Sequence, residues 1–290
     1  MDSAGPALRA RDRRVADRVG REARLELNFE RVDGRTIVTH AYAEPPFRVG
    51  RCLALGDAAY VIVVCAGPGV FAGDTLRQAI HVGRGARAVL TSQSALQVHP
   101  SAAASAAVLD HRYTLDTDAE LHCHWDPVIP FADARLEQRF DLRMPSDARL
   151  LWSDAIMAGR VTRGEAWRFR DLAHEIRLEI DGRLQYLERY RIASADRDIN
   201  RRWMAGEAGY IGTTLVHHAR ASSESVQAMH AALAAIDGAH AAVDLVEPRL
   251  LVARTMTAHG IPFAGARAAA RRLALETIFE SPHLAGRKSV

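Results

Sequence analysis

The sequence predicts a mainly β protein, antiparallel or coiled, with helix only near the C-terminus. Three observations carry that expectation. Apolar and polar residues alternate with period two over several segments, Asp-Gly pairs sit directly between such segments, and no helical periodicity separates the strands until about residue 222.

Taken in order, Leu25, Leu27 and Phe29 alternate with Arg24, Glu26 and Asn28, the pattern of a strand with one face on a core. Asp33-Gly34 follows and Arg35 to Thr39 resumes with β-branched residues, which predicts a hairpin. Pro45-Pro46 breaks the chain before a further strand. Ile80 to Thr91 reads as two strands joined at Arg84-Gly85. Alternation returns over Arg135–Met144 and over Glu175–Ile180, with His174-Glu175 expected at an exposed edge. Asp181-Gly182 then turns the chain into a strand ending near Ile192. Ser222 or Ser223 can cap a helix carrying Val226, Met229, Leu233 and Ile236, ending at Asp237-Gly238. A returning strand spans Leu250 to Thr257, and a second helix is expected from about Gly265 to Phe279, before Pro282.

A chain of 290 residues can bury a full core, and its 48% hydrophobic and 25% charged residues are those of a globular protein. No Pro/Gly/Ser-rich linker and no fixed-period repeat divides it. The expected organisation is a basic flexible tail over 1–22, with seven arginines between Arg9 and Arg24, and a single domain over 23–290. The net charge of +3 is almost wholly arginine, since Lys288 is the only lysine, and this argues for an acidic partner surface. With aromatics at 6%, the composition argues against nucleic acid. The longest apolar run, near Tyr60 to Ala66, is far short of the roughly 20 residues of a membrane helix. Cys52, Cys65 and Cys123 form no Cys-x-x-Cys, which suits a reducing cytoplasm.

Gly67 to Asp74, after an apolar run, invites a dinucleotide-binding reading, and three features remove it. The spacing Gly-x-Gly-x-x-x-Gly is one residue too long, no helix follows, and no acidic residue lies between Asp74 and Asp110 to hold a ribose. A turn is the better account, with Asp74 accepting hydrogen bonds from the turn's own N–H groups and keeping an exposed carboxylate. Walker, Gly-x-Ser-x-Gly and His-Glu-x-x-His motifs are absent. His122-Cys123-His124 stands apart: on a strand His122 and His124 share a face and can reach one nickel, copper or zinc ion, with Cys123 facing away.

Read as a set, several segments resemble the urease accessory protein D family (UreD/UreH). They are Pro68-Gly69 to Gly73-Asp74, Gly85-Ala86 to Leu90-Thr91-Ser92-Gln93, Pro127-Val128-Ile129-Pro130-Phe131-Ala132-Asp133, and Gly159-Arg160 to Gly164-Glu165-Ala166-Trp167. The resemblance runs from about Arg24 to Arg191 and more loosely through Arg254. It departs where Ala72 precedes Gly73, where Gln97 and His99 replace lysine and tyrosine, and at His122 to Trp125. It implies a large β-helix-like body with about two C-terminal helices, in a UreD-like domain spanning 23–290. It also implies a non-catalytic, cytoplasmic maturation factor that binds apo-urease structural subunits and accessory proteins F and G, the latter a GTPase, for nickel insertion. Neither nucleic acid nor membrane is an expected partner, and no cofactor is expected to be tightly bound, nickel being a transient passenger. Candidate partner-contact or metal-passage residues are Gly73, Asp74, Thr91, Gln93, Asp133, Arg160 and Glu165, with His122 and His124 as metal candidates. Arg160 and Glu165 flank a turn at Gly164 and can pair across it. The alternatives are a metal-dependent enzyme centred on His122 and His124 with a carboxylate, a maturation factor for a different nickel protein, and a generic β-rich interaction module.

Overall fold

A computed structural model describes residues 20–101, 105–194, 198–202 and 204–285. Most of the expected basic tail therefore lies outside the described residues, and the first strand already begins at Glu22. Strands β1 (Glu22–Val32) and β2 (Arg35–Ala43) form the first hairpin, and two short strands, β3 (Phe47–Val49) and β4 (Leu53–Leu55), lead to β5 (Ala58–Cys65). Asp33 and Gly34 both take positive φ, 50° and 79°, which gives the turn the twist that an antiparallel pair needs.

From β5 the chain winds as a coil. It passes through β6 (Thr75–Val82), β7 (Arg87–Ser92), β8 (Leu96–Val98), β9 (Ala107–Leu115), β10 (Glu120–His124), β11 (Val128–Pro130), β12 (Arg135–Met144), β13 (Arg149–Met157) and β14 (Asp171–Ile180). Successive long strands alternate between two sheets. One has the order β6, β9, β12, β14 and the other β5, β7, β10, β13, all parallel to their neighbours. The strands either side of Arg84-Gly85 thus form as expected, but they lie in opposite sheets and do not pair with each other.

Antiparallel pairing closes the ends. β15 (Arg183–Ile192) pairs with β14 across Asp181-Gly182. On the second sheet β16 (Tyr210–His217) joins β13. Helix α1 (Ser223–Ala234), β17 (Ala239–Glu247), β18 (Leu250–Thr257) and helix α2 (Gly260–Leu273) complete the described chain. The order of the first sheet is β15-β14-β12-β9-β6-β1-β2. We refer to it as the outer sheet, because its far face meets solvent while the helices cover the far face of the other, the inner sheet.

Burial explains this arrangement. Leu25, Phe29, Leu76, Leu109, Phe140 and Ile176 of the outer sheet meet Val61, Leu90, Leu121, Trp152 and Leu215 of the inner sheet in one core. The opposite side of the inner sheet presents Tyr60, Val89, Leu151, Val216 and Leu251 to Met229 and Leu233 of α1 and to Ala266 and Ala270 of α2. Inner strands are consequently apolar on both faces, while outer strands alternate.

Ser222 caps α1, its hydroxyl accepting from Ser225 N, and the helix stops a turn before Asp237-Gly238. Helix α2 begins at Gly260, five residues earlier than the sequence suggests, and continues as a π-helical turn over Ala274–Ile278. Gly260-Ile261-Pro262 reads as a loop. In the first helical turn, however, the amide that proline lacks has no partner to lose.

Candidate functional site at the edge of the coil

Each winding crosses from the inner sheet to the outer sheet through a short arc, and the motif residues concentrate on these arcs. Val70, Val98 and Pro130 occupy the same position on three successive arcs, bridged in parallel register. The residues that follow them are Phe71, His99 and Phe131, so the register alone requires their rings to stack. Phe71 and His99 lie face to face with centroids 4.4 Å apart, and Phe131 meets His99 edge-on at 5.1 Å. The fourth arc supplies Arg160, whose guanidinium sits 4.1 Å over the Phe131 ring. His99 Nε2 is 2.8 Å from the Pro68 carbonyl, which can only accept, so Nε2 carries the proton.

The arcs pack backbone to backbone, which dictates glycine at two places. Gly69 has φ +128°, and a Cβ there would lie 2.3 Å from the Gln97 carbonyl oxygen. Gly159, with φ +129°, would place a Cβ 2.6 Å from the Glu165 carbonyl oxygen of its own arc and 3.1 Å from the Pro130 carbonyl oxygen of the neighbouring arc.

Arg160 and Glu165 form the expected pair. Arg160 Nε donates to Glu165 Oε2 at 2.7 Å and Nη2 donates to Oε1, a two-legged contact. Glu165 Oε2 also accepts from Ala132 N at 3.3 Å. The hydrogen bond from Arg160 holds the Glu165 carboxyl below its usual range. On the neighbouring arc Asp133 is exposed and accepts from Arg170 Nε at 3.0 Å. Gly73 N donates to Ala106 O at 3.0 Å.

Asp74 does not keep the exposed carboxylate expected of it. It is buried, accepting from Phe71 N at 2.9 Å and from Arg21 N at 2.7 Å. Closing its own turn and tying down the start of β1 consumes both oxygens. Thr91 is fully buried in β7, while Gln93 is exposed just beyond that strand. Between them the Ser92 hydroxyl accepts from Asp126 N at 2.7 Å and joins two windings.

His122 and Cys123 face opposite sides of β10. Cys123 enters the core between the sheets, whereas His122 packs 4.7 Å from the Phe279 ring beneath the C-terminal segment. His122 Nε2 lies 2.9 Å from Glu120 Oε1, and His124 is half-buried. Among the described residues no group of three or more His, Cys, Asp or Glu side chains is arranged to hold a metal ion.

A second polar set, inside the coil, escaped the sequence reading. His174 is not at an exposed edge: β15 covers β14, and the imidazole is buried between the sheets. Its Nδ1 lies 3.4 Å from Gln138 Oε1, and its Nε2 lies 3.7 Å from Asp154 Oδ2, with neither the Nε2 nor that oxygen hydrogen-bonded. A cavity of about 60 Å³ adjoins this set, lined in part by Gln78, His111, Trp125, Gln138 and Asp154. Burial lowers His111 to about 3 and His174 to about 4, and raises the Asp154 carboxyl well above its ordinary range. The one sequence signal was a lone acid, Asp154, inside the apolar run Leu150 to Ile156. On a strand covered on both faces, such an acid has no route to solvent.

A two-sheet coil with its motifs stacked along one edge and polar groups between its sheets defines a β-coil protein. The UreD urease accessory protein family matches residues 21–288, and the chain belongs to that family. The urease accessory protein UreD of Sorangium cellulosum is 36% identical over 180 residues, which cover 62% of this chain and 57% of that protein. UreD of Acetivibrio thermocellus is 31% identical over 176 residues, 60% of this chain and 67% of that protein. The urease accessory protein UreH of Helicobacter hepaticus is 27% identical over 172 residues, 59% of this chain and 68% of that protein. The matched stretches thus cover between about half and two thirds of these relatives' lengths. No helix among the described residues is long and apolar enough to cross a membrane.

Proposed function

We propose that this chain is a non-catalytic urease maturation factor acting in the cytoplasm. It binds apo-urease together with accessory proteins F and G, so that nickel is inserted into the urease active site. The observation that carries the reading is the convergence of the family-like arcs on one edge. Four arcs each contribute one group to the column Phe71, His99, Phe131 and Arg160, and the terminal guanidinium is held by Glu165. Aromatic rings and arginine in a prearranged row are the groups that dominate protein–protein contacts. The arrangement is rigid before any partner arrives, so docking orders few side chains.

Nickel is cargo in this reading. Asp154 and His174 offer one carboxyl oxygen and one imidazole nitrogen inside the coil; nickel entering there would displace the proton that burial keeps on Asp154, and two ligands hold an ion weakly enough to release it.

Co-expression of the tagged chain with urease subunits and accessory proteins F and G tests the proposal. The expected result is a copurifying complex and nickel-loaded urease, with recovery of the complex cut about tenfold by combining Phe71→Ala with Arg160→Ala in a protein of unchanged circular dichroism. Fully active, fully loaded urease from cells lacking the chain overturns it.

A further inference from the structure

We propose that the solvent face of the outer sheet is a docking surface for an extended acidic segment of a protein partner. Strand register, parallel from β1 to β14 and antiparallel between β14 and β15, aligns Arg24, Arg77, Asp110, Arg139, Glu175 and Arg189 in one row across β1, β6, β9, β12, β14 and β15. A groove of about 620 Å³ runs along this row, lined by five arginines, Arg77, Arg112, Arg139, Arg189 and Arg191, and by three carboxylates, Asp110, Glu137 and Glu175.

The two charges stand at different heights. The five arginine side chains are 45–70% exposed, whereas Asp110, Glu175 and the neighbouring Asp171 are 15–20% exposed. Short carboxylates stay near the backbone and hold the guanidinium groups upright: Arg112 on Asp110 at 3.1 Å, Arg189 on Glu175 at 2.6 Å, and Arg191 on Asp171 at 2.6 Å. Apart from Glu22, which pairs with Arg77 at 3.5 Å, and Glu137, an approaching molecule meets cations first. A guanidinium carries five N–H donors, and these contacts occupy only some of them, so Arg77, Arg139 and Arg189 keep donors for an incoming carboxylate.

The spacing selects the occupant. Arg77, Arg139 and Arg189 are each two strands apart, about 10 Å at the usual strand separation. A polyproline-type segment advances about 3.1 Å per residue, so acidic residues at every third position fall over successive arginines. A nucleic-acid backbone, charged at every nucleotide, would also lie over Asp110, Glu175 and the exposed Glu137, which repel it. This surface is distinct from the arc edge, and the inference does not depend on the maturation reading.

The test uses the full chain and a fluorescent peptide of Glu-Pro-Pro repeats, followed by anisotropy. Binding is expected at about 50 mM salt and is expected to weaken about tenfold by about 300 mM. Arg77→Gln, Arg139→Gln and Arg189→Gln combined should weaken it about tenfold at low salt while circular dichroism is unchanged. Should the triple variant misfold, the single Arg139→Gln is expected to give a smaller loss of the same sign. Equal binding of a Gln-Pro-Pro peptide overturns the proposal, as does failure of the acidic peptide to bind or affinity untouched by the substitutions. Tighter, arginine-dependent binding of a single-stranded oligonucleotide also overturns it, by assigning the face to nucleic acid.

Discussion

Glu120 balances two arginines with one buried carboxylate and also faces the His122 imidazole, whose pKa burial holds below its ordinary range. Arg87 Nη2 lies 2.8 Å away, Arg149 Nε 2.9 Å and His122 Nε2 2.9 Å, and Arg87 also donates to Ser281 at 3.0 Å, tying the sheet to the C-terminal segment. Burial by itself would raise the Glu120 carboxyl, but His122 and Arg87 outweigh it and hold the group at about 2. Removing one partner of a buried ion set leaves the others unpaired, which costs more than the set contributes. Glu120→Gln is therefore expected to destabilise the protein by about 3 kcal/mol in urea unfolding, with the loss measured at neutral pH. An unchanged urea midpoint would show that Asp57, 2.9 Å from Arg87, suffices. At this scale part of the site was legible. Period two places Glu120 and His122 on one face, so a carboxylate partner for His122 stood two residues away in the sequence. Asp74 was legible as a turn acceptor but not as a buried one, because its second donor, Arg21 N, comes from a distant segment.

Along the elements, legibility followed solvent. Outer-sheet strands such as Arg135–Met144 and Asp171–Ile180 show alternation because one face is wet. The inner strand Arg149–Met157, buried on both faces, shows an apolar run that periodicity cannot separate from helix. Arcs are less legible still, since what fixes them is a neighbouring arc rather than a local pattern. Two glycines make the difference measurable. A Cβ at Gly69 collides with Gln97 O and φ is +128°, whereas Gly164, with φ +72°, has nothing within 4 Å. Gly164→Ala is expected to cost about 1 kcal/mol, the price of a left-handed residue. Gly69→Ala, with that strain and a backbone clash, is expected to cost about 3 kcal/mol and to disturb the Phe71–His99 stack. Equal urea midpoints for the two variants would mean that the arcs slide apart without cost.

For the whole molecule, the fold class was legible from periodicity, and the winding came through the family resemblance, which implied a β-helix-like body. Asp-Gly pairs announced hairpins that do form, at the two ends of the outer sheet, whereas the parallel windings between them have no fixed repeat length, and the turns read at Gly67 to Asp74 and Arg84-Gly85 do not show that their strands lie in opposite sheets. Winding two sheets and a helical layer around shared strands also buries titratable groups, and this sets the response to acid. His111 is held at about 3, and His174 and His218 at about 4, in each case first by burial. All three lie below the roughly 6.5 of a free imidazole, so below that pH the unfolded chain binds protons that the folded chain refuses. Stability then falls as pH drops from about 6.5 toward about 4. Asp154 acts with the opposite sign over much of this window, because its raised carboxyl takes up a proton in the folded state first. His122 and His217 are lowered as well, first by burial, so the depressed imidazoles outnumber the one raised carboxylate and the net effect is a loss of stability toward acid. Urea titrations at pH 7, 6 and 5 should give midpoints that fall steadily, and His218→Asn should flatten the slope by about one proton. A midpoint independent of pH across this window would mean that these imidazoles are charged in the folded protein, and the buried polar set between the sheets would have to be hydrated.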